Sequence, residues 1–251
     1  MTVVLNAWLR AFSPRPGAAL RLVFLPHAGG AASFYRPLAR ALPGHIEPVA
    51  VQYPGREDRR DEEPCPAMEE LADALAEALG ELSGKPLWLF GHSMGASVAH
   101  EVARRLAARD GPRPGRLIVS GRPGPARQRP AGKHLDDDRM WADVCGMGGT
   151  DARLLEMPEL RAMVLPTIRA DYRLIETYRA GRGTDLDIPV TACFGDRDPE
   201  VGREDAEAWQ AVTTGPFEVR CFPGGHFYLR NDSERAVVDW IAGRTAAWAP
   251  R

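Results

Sequence analysis

The pentapeptide Gly-His-Ser-Met-Gly at residues 91–95 carries the clearest chemical signal in the sequence. It follows the apolar run Leu-Trp-Leu-Phe at residues 87–90 and precedes a stretch of helical period, so the pattern predicts Ser93 on a tight strand-to-helix turn. Glycines on both sides let the backbone turn sharply, and the N-terminus of the following helix favours negative charge near the hydroxyl. Ser93 is therefore predicted to be a covalent nucleophile. A purely structural glycine turn is the alternative, which the strand-to-helix context disfavours.

A serine hydroxyl needs a base that removes its proton, and six histidines are available. His226 is the strongest candidate, because it lies in Gly-Gly-His-Phe at residues 224–227, after the last predicted strand and before the last predicted helix. His27 is assigned to the shaping of its own loop. The other four, which are predicted to be structural or solvated, are His45, His92, His100 and His134.

The base needs a carboxylate that fixes its tautomer and stabilises the imidazolium. Two candidates lie in Gly-Asp-Arg-Asp-Pro at residues 195–199, directly after a predicted strand. Asp198 is favoured, since it lies further into the loop and Pro199 stiffens its backbone. Asp196 is the alternative, although a residue so close to the strand end more often turns back to bond its own loop.

Acyl transfer also needs hydrogen-bond donors for the oxyanion of the tetrahedral intermediate. The N–H group of Met94, the residue after the nucleophile, is predicted to be one donor. The second is predicted at Ala28 in Pro-His-Ala-Gly-Gly, residues 26–30, which follow an early strand. A phosphate-binding loop is the alternative, but neither Gly-Lys-Ser/Thr nor Gly-x-Gly-x-x-Gly is present.

Short apolar runs alternate along the chain with longer segments of helical period. This alternation predicts a mostly parallel central sheet with helices on both faces, and the nucleophile turn identifies it as the α/β-hydrolase fold. The predicted strands are residues 20–25, 48–53, 86–90, 116–120, 189–194 and 217–222, with an edge strand around Trp8, Arg10 and Phe12. The predicted helices are residues 34–42, 68–82, 96–108, 203–212 and 233–248.

Residues 122–184 break this alternation, because they contain no convincing strand. Their apolar residues, at roughly helical spacing, are Met140, Trp141, Val144, Leu154, Leu155, Met157, Leu160, Met163, Val164 and Ile168. We predict a core of residues 1–121 and 185–251 and a helical lid insertion at residues 122–184. The methionines suit either a surface for varied apolar ligands or ordinary packing of a small helical cap, and ordinary packing is favoured.

A basic stretch opens this insertion, and its members are Arg122, Arg127, Arg129 and Lys133. A solvated loop is the favoured interpretation. Docking of an acidic partner is the alternative, because rim charges raise association rates and fix orientation. Three further arginines that would extend such a patch are Arg56, Arg59 and Arg60.

Length and composition limit the size of the domain and the class of partner. The 251 residues suffice for one large domain, and 44% hydrophobic with 26% charged residues is ordinary globular usage. A net charge of −2 gives no global attraction to nucleic acid or anionic membrane. The four cysteines form no Cys-x-x-Cys motif and no signal peptide or membrane span is evident, so a cytoplasmic location is expected.

Six motifs together resemble the stand-alone type II thioesterases that accompany polyketide synthases and non-ribosomal peptide synthetases. They are Leu-Pro-His-Ala-Gly-Gly at 25–30, Phe-Tyr at 34–35, Gln-Tyr-Pro-Gly-Arg at 52–56, and the motifs already described at 91–95, 195–199 and 224–227. The resemblance spans nearly the whole chain, and it shows no departure at Ser93, Asp198 or His226.

The resemblance implies hydrolysis of acyl groups from the phosphopantetheine arm of acyl or peptidyl carrier domains, which clears stalled or wrongly loaded chains. It also implies that the lid covers the acyl site, and the acidity of carrier domains gives the basic stretch a possible purpose. The triad chemistry needs neither a metal nor another cofactor. The alternatives are a small-molecule carboxylesterase or lipase and, in another class, a non-catalytic module that binds carrier proteins.

Overall fold

The computed structural model describes residues 2–82, 84–129, 131–149, 157–181, 186–230 and 233–246. Eight strands form one sheet in the order β1-β2-β4-β3-β5-β6-β7-β8. The strands are β1 Val3–Asn6, β2 Leu9–Ala11, β3 Leu20–Leu25, β4 Ile46–Val51, β5 Leu87–His92, β6 Pro114–Ser120, β7 Val190–Gly195 and β8 Phe217–Phe222. The β1–β2 and β2–β4 pairs are antiparallel, and the other five are parallel. The predicted mostly parallel sheet is confirmed.

Helices cover both faces of this sheet. They are α1 Arg36–Ala41, α2 Met68–Gly80, α3 Met94–Ala107, α4 Asp137–Gly146, α5 Pro158–Thr177, α6 Arg203–Glu207 and α7 Glu234–Thr245. In β3, Val23 and Leu25 pack with α2 and α3 on one face, whereas Leu22 and Phe24 pack with α1 and α7 on the other. The central strands are apolar throughout because side chains alternate between two covered faces.

The strands at 20–25 and 217–222 have the bounds that the sequence predicts. Strand β1 was not predicted, because Val4 and Leu5 are both exposed and the segment lacks the alternation of a half-buried strand. It forms the sheet edge that had been expected at β2. Strand β4 begins two residues before the predicted start at Pro48, which lies outside the three-residue stretch that pairs with β2 and so interrupts no ladder position there.

Helix α3 begins at Met94, two residues earlier than predicted, directly after the nucleophile candidate. The predicted helix at 203–212 divides into α6 and a 3₁₀ turn at Ala208–Val212, and the last helix ends at Thr245. Its predicted end at residue 248 lies outside the described residues, as do Leu154 and Leu155.

Between β6 and β7 the chain carries α4 and α5, and the described part of residues 122–184 adds no strand to the sheet. Helix α5 contains Pro166 in its interior and Asp171 among its buried residues. No helix within the described ranges is long and apolar enough to cross a membrane.

Candidate active site

Ser93 lies on a strained turn between β5 and α3. Its backbone has φ 53° and ψ −119°, a conformation that L-residues rarely adopt and that surrounding structure must stabilise. Its N–H donates to the carbonyl of Ser120 at 2.7 Å, which ties the turn to the end of β6. A Cβ atom on Gly91 would lie 2.0 Å from the carbonyl oxygen of Gly95, so only glycine allows strand and helix to approach this closely. The strand-to-helix turn predicted for Ser93 is present.

The loops after β7 and β8 bring His226 and Asp198 together. Asp198 Oδ2 lies 2.9 Å from His226 Nδ1, with 3% of the histidine side chain and none of the aspartate side chain exposed. The Asp198 N–H donates to the carbonyl of Gly195 at 3.1 Å, and this turn directs the carboxylate towards the histidine.

Asp196 occupies a different place. Its Oδ1 accepts the N–H of Gly224 at 2.8 Å, and its own N–H donates to Phe222 O at 2.8 Å. It therefore extends the β7–β8 ladder by one position and bonds the loop that carries His226, instead of its own loop as the sequence suggested. About half of its side chain is exposed, at 51%.

A second buried histidine lies beneath His226. The rings of His92 and His226 have centroids 5.0 Å apart. His92 Nδ1 lies 2.9 Å from Ser120 Oγ, which lies 2.7 Å from the hydroxyl of Tyr228. Burial, and next the charge of His226, hold the pKa of His92 well below its usual range. His92 was predicted to be either structural or solvated, and it is structural. It packs beside His226 as a neutral ring.

The 26–30 loop lies across from the serine. His27 packs its ring on Phe34 and Phe227, with centroids 4.6 and 4.7 Å away, and it lies so close to Gly30 that a Cβ there would be 2.7 Å from the ring. Burial, followed by the charge of His226, lowers the pKa of His27 to about 3. A neutral ring packed in this way fixes the shape of the loop, as predicted for this residue.

The two predicted oxyanion donors, Met94 and Ala28, line the same cavity as Ser93. Met94 is the first residue of α3, and amides in the first turn of a helix have no intrahelical acceptor. Ala28 lines both cavities that reach Ser93. The N–H of Gly30 donates to His27 O at 2.9 Å, which closes a tight turn around Ala28.

Two cavities meet at Ser93 and Ala28. The smaller, of about 100 Å³, is also lined by His226 and, besides these, by His27, Gly29, Val144, Met147, Gly149, Ile168, Tyr172, Glu200 and Phe227. The larger, of about 510 Å³, is lined by Met94, by residues of the basic stretch and by α5. Two cavities of different volume therefore open from a single serine.

Two members of the basic stretch form ion pairs with nearby carboxylates. Arg127 Nε lies 2.6 Å from Asp205, and Lys133 Nζ lies 2.7 Å from Asp143 and 2.8 Å from Glu200. Burial lowers the pKa of Arg122 to about 10, while Arg129 is exposed. Two of the four basic residues, Arg127 and Lys133, are thus paired with carboxylates.

The proposed extension of the basic patch is wrong for two of its three arginines. Arg56 and Arg59 are buried at 7% and 8% exposure, and Arg59 is paired with Glu62. Only Arg60 is exposed. Arg56 and Arg59 each donate to a backbone carbonyl and lie over an aromatic ring, that of Tyr53 and that of Trp8 respectively. A count of positive residues does not reveal such contacts.

Sequence reasoning missed Asp171, whose carboxylate accepts the N–H of Gly29 at 2.7 Å and pairs with Arg56. A signal for it existed. Asp171 stands three residues after Ile168 and four before Ile175, so it occupies the buried face of α5 as a charged residue in an apolar register. A buried carboxylate is retained only with partners, so its place on the apolar face of this helix indicates a polar contact with the core.

The chain matches one family model and several known proteins. The family model described as "Thioesterase domain" matches residues 20–245. Thioesterase PikA5 of Streptomyces venezuelae is 44% identical over 242 residues, which cover 94% of this chain and 84% of that protein. A probable cadicidin biosynthesis thioesterase of Streptomyces griseus is 46% identical over 224 residues, 88% of this chain and 62% of that protein.

Among solved structures, the type II thioesterase BorB from the borrelidin biosynthetic cluster superposes with a TM-score of 0.87 at 43% identity, covering 96% of this chain and 98% of BorB. The α/β-hydrolase fold and the family resemblance predicted from the six motifs are thereby confirmed. The chain belongs to the thioesterase family, among the type II thioesterases of polyketide and non-ribosomal peptide pathways.

Proposed function

We propose that this thioesterase hydrolyses acyl groups from the phosphopantetheine arms of acyl or peptidyl carrier domains, with Ser93 as nucleophile, His226 as base and Asp198 as the residue that orients the base. The observation that carries this proposal is the buried pair of His226 Nδ1 and Asp198 Oδ2, 2.9 Å apart, whose histidine lines the same cavity as Ser93. A carboxylate on Nδ1 leaves Nε2 as the nitrogen that can accept the proton of the serine.

The proposed cycle has two halves. The Ser93 hydroxyl attacks the thioester carbonyl while His226 takes its proton, and the N–H groups of Ala28 and Met94 stabilise the tetrahedral oxyanion. The intermediate then collapses, the carbon–sulfur bond breaks, and the proton on His226 passes to the departing thiolate. In the second half a water, deprotonated by His226, attacks the acyl-enzyme and releases the carboxylic acid and free Ser93.

The two cavities support distinct tasks in this cycle. The recess of about 100 Å³ has Val144, Met147 and Ile168 in its lining and suits the acyl group. The wider cavity of about 510 Å³, with both polar and charged lining, suits entry of the pantetheine arm. Thioesters with a long polar carrier arm are thus better matched to this site than compact free esters.

The segment at residues 122–184 is proposed to act as a lid on this site. In its described part, Val144 and Met147 from or just after α4, and Ile168 and Tyr172 from α5, line the cavity that contains Ser93. We also expect the protein to act in the cytoplasm, where its four free cysteines would stay reduced.

The test of the proposed function is hydrolysis of acyl-carrier proteins by the parent and by Ser93→Ala. The variant should lose turnover with the circular dichroism spectrum and Tm unchanged, and the parent should be labelled by a fluorophosphonate while the variant is not. Release of acyl groups by Ser93→Ala at the parent rate contradicts the mechanism.

The same assay distinguishes the proposed function from two rival functions. A small-molecule carboxylesterase would hydrolyse free esters and acyl-N-acetylcysteamine thioesters as well as it hydrolyses acyl-carrier proteins, because the triad chemistry serves both ester types. A non-catalytic carrier-binding module would bind the carrier without turnover and without labelling. A clear preference for the carrier-bound thioester supports the proposal.

A further inference from the structure

Helix α5 contacts the 26–30 loop through one buried carboxylate. Asp171 Oδ2 accepts the N–H of Gly29 at 2.7 Å, and the same oxygen pairs with the guanidinium of Arg56. Both charged side chains are 7% exposed. The contact joins residues that are 142 positions apart in the sequence, so only the packing of α5 on the core creates it.

Arg56 is itself fixed on the core side of this contact. Its Nη1 donates to Pro54 O at 2.8 Å, and its guanidinium lies 5.1 Å from the ring centroid of Tyr53. The carbonyl of Arg56 accepts Gln52 Nε2 at 2.9 Å. Arg56 therefore presents a positioned positive charge to Asp171, and charge-assisted bonds of this type are stronger than neutral ones.

The same network holds the far end of the loop. Gln52 Oε1 accepts the N–H of Ala32 at 2.9 Å, while its amide nitrogen is bonded to Arg56. The chain from Gly29 to Ala32 is thus held at both ends by side chains that meet at Arg56. Tyr53 adds a contact just before it, because its hydroxyl donates to Pro26 O at 3.3 Å.

The geometry at Gly29 explains why this contact matters for Ala28. Gly29 has φ +72°, and a Cβ there would lie 2.9 Å from Ile168 of α5, so the loop and the helix are in direct contact. The bond to Asp171 fixes the plane of the peptide between Ala28 and Gly29. On the other side, the bond from Gly30 N–H to His27 O closes the turn. Ala28 therefore lies between the peptide that Asp171 holds and the turn that the bond from Gly30 to His27 closes.

We propose that Asp171 is a positioning residue of the thioesterase reaction, which holds the Ala28 N–H in the direction that stabilises the oxyanion. This inference rests on the proposed function, since it assumes that the Ala28 N–H is an oxyanion donor. The consequence is that α5 is a working part of the catalytic apparatus as well as a cover. Any displacement of α5 from the core releases Gly29 and disorganises the oxyanion site.

The decisive variant removes the acceptor without leaving a buried charge unpaired. In the double variant Asp171→Leu with Arg56→Met, apolar side chains of similar length replace the buried ion pair, an exchange that folded proteins often tolerate. Because loss of one oxyanion donor costs about 10²- to 10³-fold in kcat, we expect kcat to fall by about 10²-fold with KM within about threefold of the parent.

A matched control lies one turn earlier on the same helix. Thr167 Oγ1 donates to Gly55 O at 2.9 Å, so Thr167→Val removes a contact between α5 and the core without touching Gly29. We expect kcat within about twofold of the parent in this control, because its lost bond does not reach the 26–30 loop. A residue that merely stabilised α5 would make both variants behave alike.

Affinity for an alkyl trifluoromethyl ketone gives a readout that fold stability does not move. Such a ketone forms a tetrahedral adduct with the serine and places an oxyanion where the Ala28 N–H points. We expect its affinity to fall about as much as kcat in the double variant and to be unchanged in Thr167→Val. A folded double variant with parental kcat and parental ketone affinity overturns the proposal.

Asp171→Asn tests the positioning role of Asp171 if the double variant does not fold. The amide keeps a neutral acceptor of the same shape, and we expect about a tenfold loss in kcat because the bond from Gly29 loses its charge assistance. Parental kcat and ketone affinity in this variant also overturn the proposal. Failure of the proposed function itself is seen separately, as parental turnover by Ser93→Ala.

Discussion

A Cβ atom placed on Gly95 would lie 2.0 Å from the carbonyl oxygen of Leu25. Gly95 is the second residue of α3, and Leu25 is the last residue of β3, which leads into the 26–30 loop. The start of α3 is thus in direct backbone contact with the strand that carries the predicted second oxyanion donor. This close approach is what sets Ser93 and Ala28 against the same two cavities.

Gly95→Ala should therefore damage both the fold and the reaction. The new methyl group meets backbone on both β3 and the following residue, which cannot rotate away, so we expect a loss of about 2–3 kcal/mol in the free energy of unfolding and a large loss of kcat. Urea denaturation and turnover of an acyl-carrier protein measure the two effects.

Gly80→Ala is the control for this prediction. Gly80 is the exposed last residue of α2, and a Cβ there has nothing within 4 Å. Alanine should stabilise the protein by about 0.5–1 kcal/mol, because it reduces the freedom of the unfolded chain, and leave kcat unchanged. Equal stability of the two alanine variants would show that the contact with Leu25 is not limiting.

Asp198→Asn and Asp196→Asn should differ strongly in activity. The first replaces the carboxylate that lies 2.9 Å from His226 Nδ1, and we expect kcat to fall by about 10³- to 10⁴-fold. In the second, the asparagine oxygen can still accept the N–H of Gly224, so kcat should change by less than about fivefold. Single-turnover hydrolysis of an acyl-carrier protein measures both, and the reverse order would assign the triad carboxylate to Asp196.

Acid should destabilise the protein in part through His27. Burial lowers its pKa to about 3 in the folded state, whereas an unfolded chain has a histidine pKa of about 6.5. As pH falls below about 6.5 the unfolded state takes up a proton that the folded state does not, so stability is lost between pH 6.5 and 3. Between pH 7 and 5 this residue should account for about 2 kcal/mol.

The comparison of the parent with His27→Gln isolates that contribution. The variant lacks the titrating group, so its free energy of unfolding should change less between pH 7 and 5 than that of the parent, by about 2 kcal/mol. His92 remains in both proteins, so its own effect cancels. Identical pH dependence in the two proteins would mean that His27 takes up its proton at the same pH in the folded and the unfolded state.

Lys133 should hold α4 against the loop that carries Asp198. Its Nζ lies 2.7 Å from Asp143 of α4 and 2.8 Å from Glu200 of that loop. In Lys133→Met we expect amide hydrogen exchange in α4 to rise about fivefold, equivalent to about 1 kcal/mol of local stability for a partly exposed pair.

Lys85→Met serves as its control. Lys85 likewise joins two segments, because its Nζ donates to Glu47 and to the carbonyl of Arg15, but at the opposite end of the sheet. Its loss should lower global stability by a similar amount without raising exchange in α4 selectively. Unchanged exchange of α4 in Lys133→Met would show that other contacts hold this helix.

Local sequence determined the sheet and the nucleophile turn, because both depend on short-range patterns. Apolar runs such as residues 20–25 give buried strands, and the glycines at 91 and 95 give the one turn that places a serine between β5 and α3. The candidate residues Ser93, Asp198 and His226 were also identifiable, since each lies directly after a predicted strand and parallel strands end at one edge of the sheet.

Tertiary structure alone decided what each of these residues contacts. The turn from Gly195 to Asp198 places the Asp198 carboxylate beside His226, whereas the Asp196 carboxylate accepts the N–H of Gly224. Packing of α5 on the core makes Asp171 a partner of Gly29, and intramolecular ion pairs neutralise Arg127 and Lys133 in the predicted basic stretch. These contacts join residues far apart in the chain, so their energies depend on burial and distance, which local sequence patterns do not encode.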